Sequence, residues 1–384
     1  MRILVLHNRY RAVGGEERAV SNLVEMLRRR GHAVRLLERS SVGLARAQAA
    51  RALIGGGVGP DEVATAVREL GADVVHAHNV HPRFGWRALA AAGGAGAGVV
   101  LHLHNLRLFC AIGIAFRDGH PCFECHRRNT LPGVVHRCRG SVGESVTYAA
   151  GLSLQHPRLL ANADRFIAVS EFTAGQLMAN GMPGRRADVL PNFIPSRAVR
   201  RRSAAASGAY GLASGRLVPE KGFDTAIAAA RAARVPLVIA GDGPDAPRLR
   251  ALASGGDVRL IGRVAPERLA ELRRAAAFVV VPSRCDDACP YSATEALADG
   301  VPVIGSTRGG LPELLGRQLT LDSDDVDGWT SQMNRLWRDP AARAELGERA
   351  LQTTRELLSE EIYHDRLIRI YDQARVNRRP ATGD

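Results

Sequence analysis

The sequence from position 215 to position 222 is Gly-Arg-Leu-Val-Pro-Glu-Lys-Gly. It follows an apolar run, 209–213, that is typical of a strand, and it precedes a helical pattern that begins at Phe223. A turn between a strand and a helix offers free amides and the positive end of the helix dipole to an anion. Arg216 adds one cation to this turn, and Lys221, the only lysine of the chain, adds another. The segment therefore predicts a phosphate or diphosphate site.

Strand-length apolar runs alternate with helical periodicities along the rest of the chain. In the first half, strands are predicted at 2–7, 33–37, 72–77, 99–103, 165–169 and 187–190. In the second half, they are predicted at 209–213 and near 236–240, 257–261, 277–281 and 301–304. Such alternation predicts the α/β class, with two doubly wound parallel sheets that are covered by helices. Ligands of these sheets bind beyond the carboxyl ends of the strands.

Four segments are predicted along the chain. Residues 1–195 form an N-terminal domain, and a polar stretch rich in Ser, Ala and Arg, 196–208, forms a linker. A second domain spans 209–357, and a C-terminal helix, 358–384, is expected to pack back on the first domain.

Composition excludes several classes of protein. The chain has 384 residues, 46% of them hydrophobic, which is enough for about two domains with real cores. No apolar run approaches the length of a membrane span or a signal peptide, which predicts a cytoplasmic protein. A net charge of +13 attracts nucleic acids and anionic membranes alike. Because the arginine clusters do not interleave with aromatic residues, nucleic acid is not expected as a partner.

A second polar group follows the strand predicted at 277–281. Asp287 stands on a loop, and Glu295, eight residues later, lies in the first turns of a helix that begins near Tyr291 or Ser292. Free amides at this helix start can bind another face of the same diphosphate. The carboxylate of Glu295 can accept hydrogen bonds from vicinal hydroxyls such as those of a ribose. Alone, such a glutamate more often only stabilises the helix dipole, so its assignment depends on the combination with residues 215–222.

Four motifs, in order and at matching spacing, resemble the retaining glycosyltransferases of family 4. They are Gly14-Gly15-x-Glu17, Gly215-Arg216-x3-Glu220-Lys221-Gly222, Gly241-Asp242-Gly243-Pro244 and the acidic-x7-Glu loop from Asp287 to Glu295. The resemblance covers nearly the whole chain and implies the GT-B fold, in which two Rossmann-like domains face a cleft. It also implies a hexosyltransferase-like enzyme of antibiotic or polysaccharide biosynthesis, which moves a sugar from a nucleoside-diphosphate sugar to an acceptor hydroxyl without a metal cofactor.

The resemblance assigns the donor site. Arg216 and Lys221 would bind the diphosphate and stabilise the leaving nucleoside diphosphate, and Glu295 would hold the nucleotide ribose. Amides near Tyr291 and Ser292 would cap the phosphates. The Gly14-Gly15 backbone would approach the same phosphates, and His104 would stand beside the donor sugar as a catalytic residue. The resemblance also implies the mechanism of the family, front-face retention, in which a donor phosphate oxygen takes the proton of the acceptor.

Position 287 departs from the family pattern, because aspartate replaces the usual glutamate, which in relatives touches hydroxyls of the donor sugar. The missing methylene withdraws the carboxylate by about 1.5 Å, enough to break a direct hydrogen bond. We therefore hypothesise a modified donor sugar, such as a deoxy, amino or L-configured one.

The acceptor is expected to bind to the first domain, with Glu16 and His78 on the acceptor side and His76 in a structural role. It is either a soluble small molecule, such as an aminocyclitol or another secondary metabolite, or a lipid-linked or envelope glycan. The second alternative would bring the basic first domain to the inner face of the membrane as a peripheral protein.

Four cysteines lie within the loop 106–140, and family members with a similar Cys-rich stretch form a subgroup that this chain resembles. The cysteines are Cys110, Cys122, Cys125 and Cys138. Their spacing is compatible with a structural four-thiolate zinc site, which would order a long loop. The alternative is a set of small buried or partly oxidised thiols in a lid.

Two other functions fit the same fold. One is a non-catalytic protein that binds sugar nucleotides or a membrane surface, for which Asp287 is the only hint of decayed catalysis. The other is a sugar-nucleotide epimerase, whose acidic and histidine residues have no counterparts at family spacing here.

Overall fold

The structure is a computed structural model that describes residues 1–10 and 14–377. The chain divides into two compact units. The first comprises Met1–Ala115, Cys122–Asn192 and the C-terminal segment that starts at Glu361, and the second comprises Phe116–Pro121 and Phe193–Glu360. Residues 378–384 of the predicted C-terminal helix lie outside the described residues.

The first eight strands, in chain order, are β1 (Arg2–Arg9), β2 (Ala33–Ser40), β3 (Val74–Ala77), β4 (Gly98–Leu103), β5 (Phe116–Arg117), β6 (His120–Pro121), β7 (Arg165–Ala168) and β8 (Ala187–Val189). Six of them form a parallel sheet in the order β2-β1-β3-β4-β7-β8, whereas β5 and β6 form a separate antiparallel hairpin. The winding direction of the sheet changes between β1 and β3. The carboxyl ends of these strands are where such a sheet binds ligands.

Seven helices accompany these strands: α1 (Gly15–Arg29), α2 (Arg46–Gly55), α3 (Pro60–Leu70), α4 (Gly85–Gly94), α5 (Leu131–Val135), α6 (Val142–Ala161) and α7 (Glu171–Ala179). In α1 the apolar residues Ala19, Val20, Leu23, Val24, Met26 and Leu27 are buried on one face. α2 and α6 were not predicted. They pack so closely that a side chain at Gly151 would stand 2.5 Å from the Leu53 side chain.

The second unit contains β9 (Gly211–Ser214), β10 (Leu237–Ala240), β11 (Val258–Gly262), β12 (Phe278–Val281), β13 (Val303–Ser306) and β14 (Thr320–Leu321). They form a second parallel sheet of six strands in the order β11-β10-β9-β12-β13-β14. Here the winding direction changes between β9 and β12, and the motif at 215–222 directly follows β9. The two doubly wound parallel sheets confirm the predicted α/β class.

The remaining helices are α8 (Phe223–Ala233), α9 (Ala246–Ala253), α10 (Pro266–Arg274), α11 (Tyr291–Ala298), α12 (Leu311–Leu315), α13 (Val326–Arg338), α14 (Pro340–Leu357) and α15 (Glu360–Val376). Residues 196–208 are attached to the second unit by Arg343, whose guanidinium donates to the carbonyls of Ala205 (2.8 Å) and Ala206 (2.5 Å). α15 contributes the fully buried Tyr371 to the first unit. Of the helices in the described ranges, none is both long and apolar enough to cross a membrane.

Candidate active site

Histidines collect at the carboxyl ends of β3 and β4. His76 and His78 are two residues apart at the end of β3, and His102 and His104 are two residues apart at the end of β4. Because residues i and i+2 of a strand point to the same face, the two pairs meet side by side. His76 Nε2 lies 3.2 Å from His102 Nδ1, and His78 Nδ1 lies 2.9 Å from His104 Nε2. We call these four side chains the imidazole cluster.

The imidazole cluster is neutral. Burial lowers the pKa values of His76 and His104 to about 3. Burial, followed by repulsion from neighbouring imidazoles, holds the pKa values of His78 and His102 well below their usual range. At neutral pH these rings therefore act as hydrogen-bond donors, acceptors or ligands, and not as cations.

Glu17 links Tyr10 to the start of α1, because its carboxylate accepts hydrogen bonds from the amides of Tyr10 (2.9 Å) and Gly14 (2.8 Å). Gly14 directly precedes α1, and Gly15 is its first residue. Its neighbour Glu16 accepts from the Tyr10 hydroxyl at 2.7 Å. Burial raises the pKa of Glu16 to about 7, although the Tyr10 hydrogen bond opposes the shift. Glu16 is therefore a carboxyl group that titrates near neutral pH.

A cavity of about 30 Å³ brings the predicted acceptor-side residues together. Glu16, His78 and His104 line it, with Asn105 and Arg107 from the segment after β4. The Arg107 guanidinium lies 4.8 Å from the centre of the Tyr10 ring. The sequence reasoning missed Tyr10, Asn105 and Arg107, because single polar residues in a loop carry no spacing signal. Their positions after β1 and β4 are the only signal that could have indicated them.

In the second unit, Lys221 and Asp287 form a close ion pair. Lys221 Nζ donates to both carboxylate oxygens of Asp287, at 2.5 and 2.6 Å, and the Ser283 hydroxyl donates to Oδ2 at 2.6 Å. Burial disfavours both charges, but each is stabilised by the other. The pKa of Lys221 consequently lies above its ordinary value and that of Asp287 below. The carboxylate expected to face the donor sugar is thus bound to the lysine of the phosphate motif.

Two glycines allow the loops around this pair to approach each other. Gly222 has φ +65°, and a Cβ there would lie 2.1 Å from the Pro282 carbonyl oxygen. Gly309 has φ +59°, and a Cβ there would lie 2.2 Å from the Asp287 carbonyl oxygen. Any other side chain would force these loops apart and with them Lys221 and Asp287.

Arg216 differs from Lys221 in exposure. Its side chain is 65% exposed and lies 3.5 Å from Glu220, whereas that of Lys221 is 23% exposed. The second unit therefore has one exposed cation and one partly buried, ion-paired cation in the same turn.

Glu295 lies in α11, which begins at Tyr291 and continues with Ser292, as the sequence predicted. The Arg273 guanidinium donates to Glu295 at 2.8 Å and to Asp299 at 2.6 Å. The sequence reasoning missed this partner, which comes from α10 and fixes the Glu295 carboxylate. The amides of Ala293 and Thr294 donate to the carbonyl of Pro290, at 3.0 and 3.1 Å, and this closes the first turn of α11.

The four cysteines of the loop 106–140 have free thiols that are partly buried. The loop is not without structure, since it contains the hairpin β5–β6 and the helix α5. Burial, together with the neighbouring thiols, raises the pKa of Cys125 to about 11. Within the described ranges, the cysteines do not form a group of three or more ligand atoms within 4.8 Å of one another. The four-thiolate zinc site therefore stays a prediction.

Two family models match the chain. The model described as Glycosyltransferase Family 4 matches residues 13–197, and the model described as Glycosyl transferases group 1 matches residues 209–339. Together the two matches account for most of the chain.

Two curated relatives illustrate the similarity. A GDP-mannose-dependent monoacylated alpha-(1-6)-phosphatidylinositol monomannoside mannosyltransferase of Corynebacterium glutamicum is 33% identical over 170 residues, which are 40% of this chain and 45% of that protein. A D-inositol 3-phosphate glycosyltransferase of Acidothermus cellulolyticus is 32% identical over 220 residues, 49% of this chain and 48% of that protein. The chain thus spans about half the length of these relatives.

Among solved structures, the complex of Anabaena HepE with UDP superposes with a TM-score of 0.64 at 16% identity, covering 97% of this chain and 100% of that one. At this identity the likeness shows the fold. The family matches and the relatives confirm the predicted enzyme class. This chain is a glycosyltransferase with the GT-B fold, in which a family 4 domain precedes a group 1 domain.

Proposed function

We propose that this enzyme transfers a sugar from a nucleoside-diphosphate sugar to an acceptor hydroxyl, with retention of configuration and without a metal at the diphosphate. The observation that carries the proposal is the Lys221–Asp287 pair beside the carboxyl ends of β9 and β12. An ammonium group has three N–H donors. Asp287 accepts two of them, so the third is available to a phosphate oxygen, in an orientation that Asp287 fixes.

Arg216 completes the phosphate site. Its exposed guanidinium can close on the diphosphate as a planar, bidentate donor. When the bond between the sugar and the diphosphate breaks, negative charge builds up on the leaving oxygen, and these two cations stabilise it. The first amides of α11, at Tyr291 and Ser292, add donors of fixed direction, and Glu295 holds the ribose. The bound UDP in the HepE structure supports a nucleotide donor for this fold.

The first unit supplies the acceptor side. The acceptor oxygen forms the new bond to the anomeric carbon while the carbon–phosphate oxygen bond breaks, and a donor phosphate oxygen takes the acceptor proton. His104 is neutral, so it can donate a hydrogen bond to the donor sugar without adding a charge. Glu16 and His78 line the same cavity, and Glu16 would orient the acceptor hydroxyl.

For the acceptor we propose a phosphorylated cyclitol, either free or as a lipid headgroup. One relative is named for D-inositol 3-phosphate and the other for a phosphatidylinositol monomannoside. In this chain, Arg107 beside the cavity offers a cation to a phosphate group, and Glu16 offers a hydrogen-bond acceptor to the hydroxyls of a polyol. Inositol 3-phosphate in solution and phosphatidylinositol in vesicles distinguish the two sources. Vesicle sedimentation then tests whether the protein reaches the second source as a peripheral protein.

A transfer assay with radiolabelled UDP- and GDP-sugars in excess EDTA tests the proposal. We expect turnover in EDTA, and a product whose anomeric configuration by NMR equals that of the donor. Inverted product would contradict the retaining mechanism. Loss of activity in EDTA that added Mg²⁺ restores would contradict metal-independent binding of the diphosphate.

The contacts of Asp287 bear on the kind of donor sugar that the enzyme uses. Because its carboxylate is bound to Lys221 and Ser283, we propose that it does not hold the usual hexose hydroxyls. Asp287→Glu would restore the longer side chain, so turnover of UDP-glucose should differ between this variant and the wild type. Equal turnover by the two proteins would exclude a modified donor sugar as the reason for aspartate.

A further inference from the structure

The imidazole cluster contains a group that the proposed transfer reaction does not use. His76, His78 and His102 each place one ring nitrogen within 4.8 Å of the other two. In the part of the chain that the structure describes, these residues form the only group of three such side chains. Their exposed fractions are 0%, 2% and 2%, so all three rings are removed from solvent.

The spacing of the nitrogens fits a metal ion. Nitrogens bound about 2.0–2.1 Å from a tetrahedral ion lie about 3.4 Å apart. His76 Nε2 and His102 Nδ1 are separated by 3.2 Å. A hydrogen bond between two neutral rings also explains this distance, but it leaves other nitrogens without a partner. One of these, His78 Nε2, is buried and has no hydrogen-bond partner, so it can serve as the third ligand atom, with His102 binding through Nδ1.

The surroundings supply the second requirement of a histidine metal site. A ligating imidazole usually donates its other N–H group to an oxygen, which fixes its tautomer. His76 Nδ1 lies 2.7 Å from the hydroxyl of Tyr371, a fully buried side chain of α15. With Nδ1–H bound to Tyr371, the lone pair of His76 is on Nε2, which is the atom that faces His102.

We propose that His76, His78 and His102 bind one transition-metal ion of the zinc type in the first unit. A ligand set of neutral imidazoles selects Zn²⁺, Co²⁺, Ni²⁺ or Cu²⁺ over Mg²⁺ and Ca²⁺, which prefer oxygen. The cavity beside His78 and His102 gives the ion an entry route and leaves space for a fourth ligand such as water. The ion fixes the ring of His78, and His78 Nδ1 in turn orients His104 through their 2.9 Å contact. This role is structural and is distinct from the diphosphate site of the second unit.

Titration of chelator-treated protein, prepared without a polyhistidine tag, with Co²⁺ tests the site. We expect one equivalent to bind, with the visible absorption of four-coordinate Co²⁺ and without a thiolate charge-transfer band, and Zn²⁺ should displace it. His76→Gln and His102→Gln should lose this equivalent, whereas His120→Gln, in the exposed hairpin, should retain it. Absence of binding to the wild type, or binding that survives both cluster variants, would overturn the proposal.

Tyr371→Phe keeps the test valid if the histidine variants do not fold. It removes one hydroxyl, and loss of such an outer partner typically weakens a metal about 10- to 100-fold. An unchanged Co²⁺ affinity in Tyr371→Phe would contradict the assignment of His76. A thiolate band that disappears in Cys125→Ser would place the ion in the cysteine loop and would also overturn the proposal.

Discussion

The imidazole cluster and the Lys221–Asp287 pair differ in charge, although both are largely buried. In the first unit, burial keeps the imidazole rings neutral, and they contact one another. In the second unit, Lys221 and Asp287 keep their charges, because each compensates the burial of the other. Under the proposed assignment, the group beside the sugar is uncharged, whereas the site for the diphosphate keeps a cation oriented and available.

Lys221→Ala should have the largest effect, since it removes the cation and leaves Asp287 without its partner. Loss of one preorganised charge at a leaving group costs on the order of 10²–10³ in kcat. Removal of one member of a buried pair also costs about 3 kcal/mol of the free energy of unfolding. Steady-state kinetics and urea unfolding measure the two effects.

The double variant Lys221→Ala/Asp287→Ala separates these effects. We expect it to recover most of the lost stability, because no uncompensated charge remains, but none of the lost activity. Recovery of activity would show that Asp287, and not the absence of the ammonium group, was responsible. Arg250→Ala, on an exposed position of α9, is the matched control and should change neither quantity.

Glu16→Gln tests the one titrating group of the first cavity. The Glu16 pKa is about 7, so its carboxylate form increases as the pH rises from 6 to 8. If the carboxylate binds the acceptor hydroxyl, kcat/KM should increase over this range in the wild type. The variant should lose this pH dependence and about 10- to 100-fold of kcat/KM, as expected for a hydrogen bond to a charged group. A pH profile that is the same in both proteins would remove Glu16 from the acceptor site.

Asp287→Asn should have the smallest effect, on the pH dependence of stability. The pKa of Asp287 is lowered by folding, so its contribution is present above the ordinary aspartate value of about 3.9 and is lost as the pH falls through the folded value. Lys221 has a raised pKa, so its contribution is lost only as the pH rises through the folded value. Between these limits the variant should be less stable by about 1.5 kcal/mol, and in acid the difference should disappear. Urea unfolding from pH 3 to pH 8 checks this, and a constant difference would contradict it.

Particular residues show how far the sequence predicts the structure. The positions of most strands along the chain, and the turns that carry Lys221, Asp287 and Glu295, were predictable, because buried strands and the turns that follow them have local patterns. The helices α2 and α6 could not be predicted, because their interface uses small residues such as Gly151 and shows little hydrophobic periodicity. The pairing of Glu295 with Arg273 joins two helices, and no local pattern encodes it.

The imidazole cluster could be predicted from the sequence only in part. Its two His-x-His pairs are visible in the sequence, and each predicts two rings on one strand face. That His76 meets His102, and His78 meets His104, depends on the alignment of β3 with β4, which only the structure gives. The cysteine loop differs from the imidazole cluster, since its spacing suggested a zinc site, but in the described residues its thiols do not form a group of three ligand atoms within 4.8 Å of one another.

Binding of nucleoside diphosphates to the wild type and to Lys221→Ala tests the central claim most directly. UDP, GDP, dTDP, CDP and ADP are compared by thermal shift in EDTA, with Arg250→Ala as the control. At 100 times its dissociation constant, a bound nucleotide stabilises the native state by about 2.7 kcal/mol, or a few degrees for a protein of this size. We predict that one nucleotide shifts the wild type and the control but not Lys221→Ala. An equal shift in all three proteins would contradict the assignment of Lys221 to the diphosphate site.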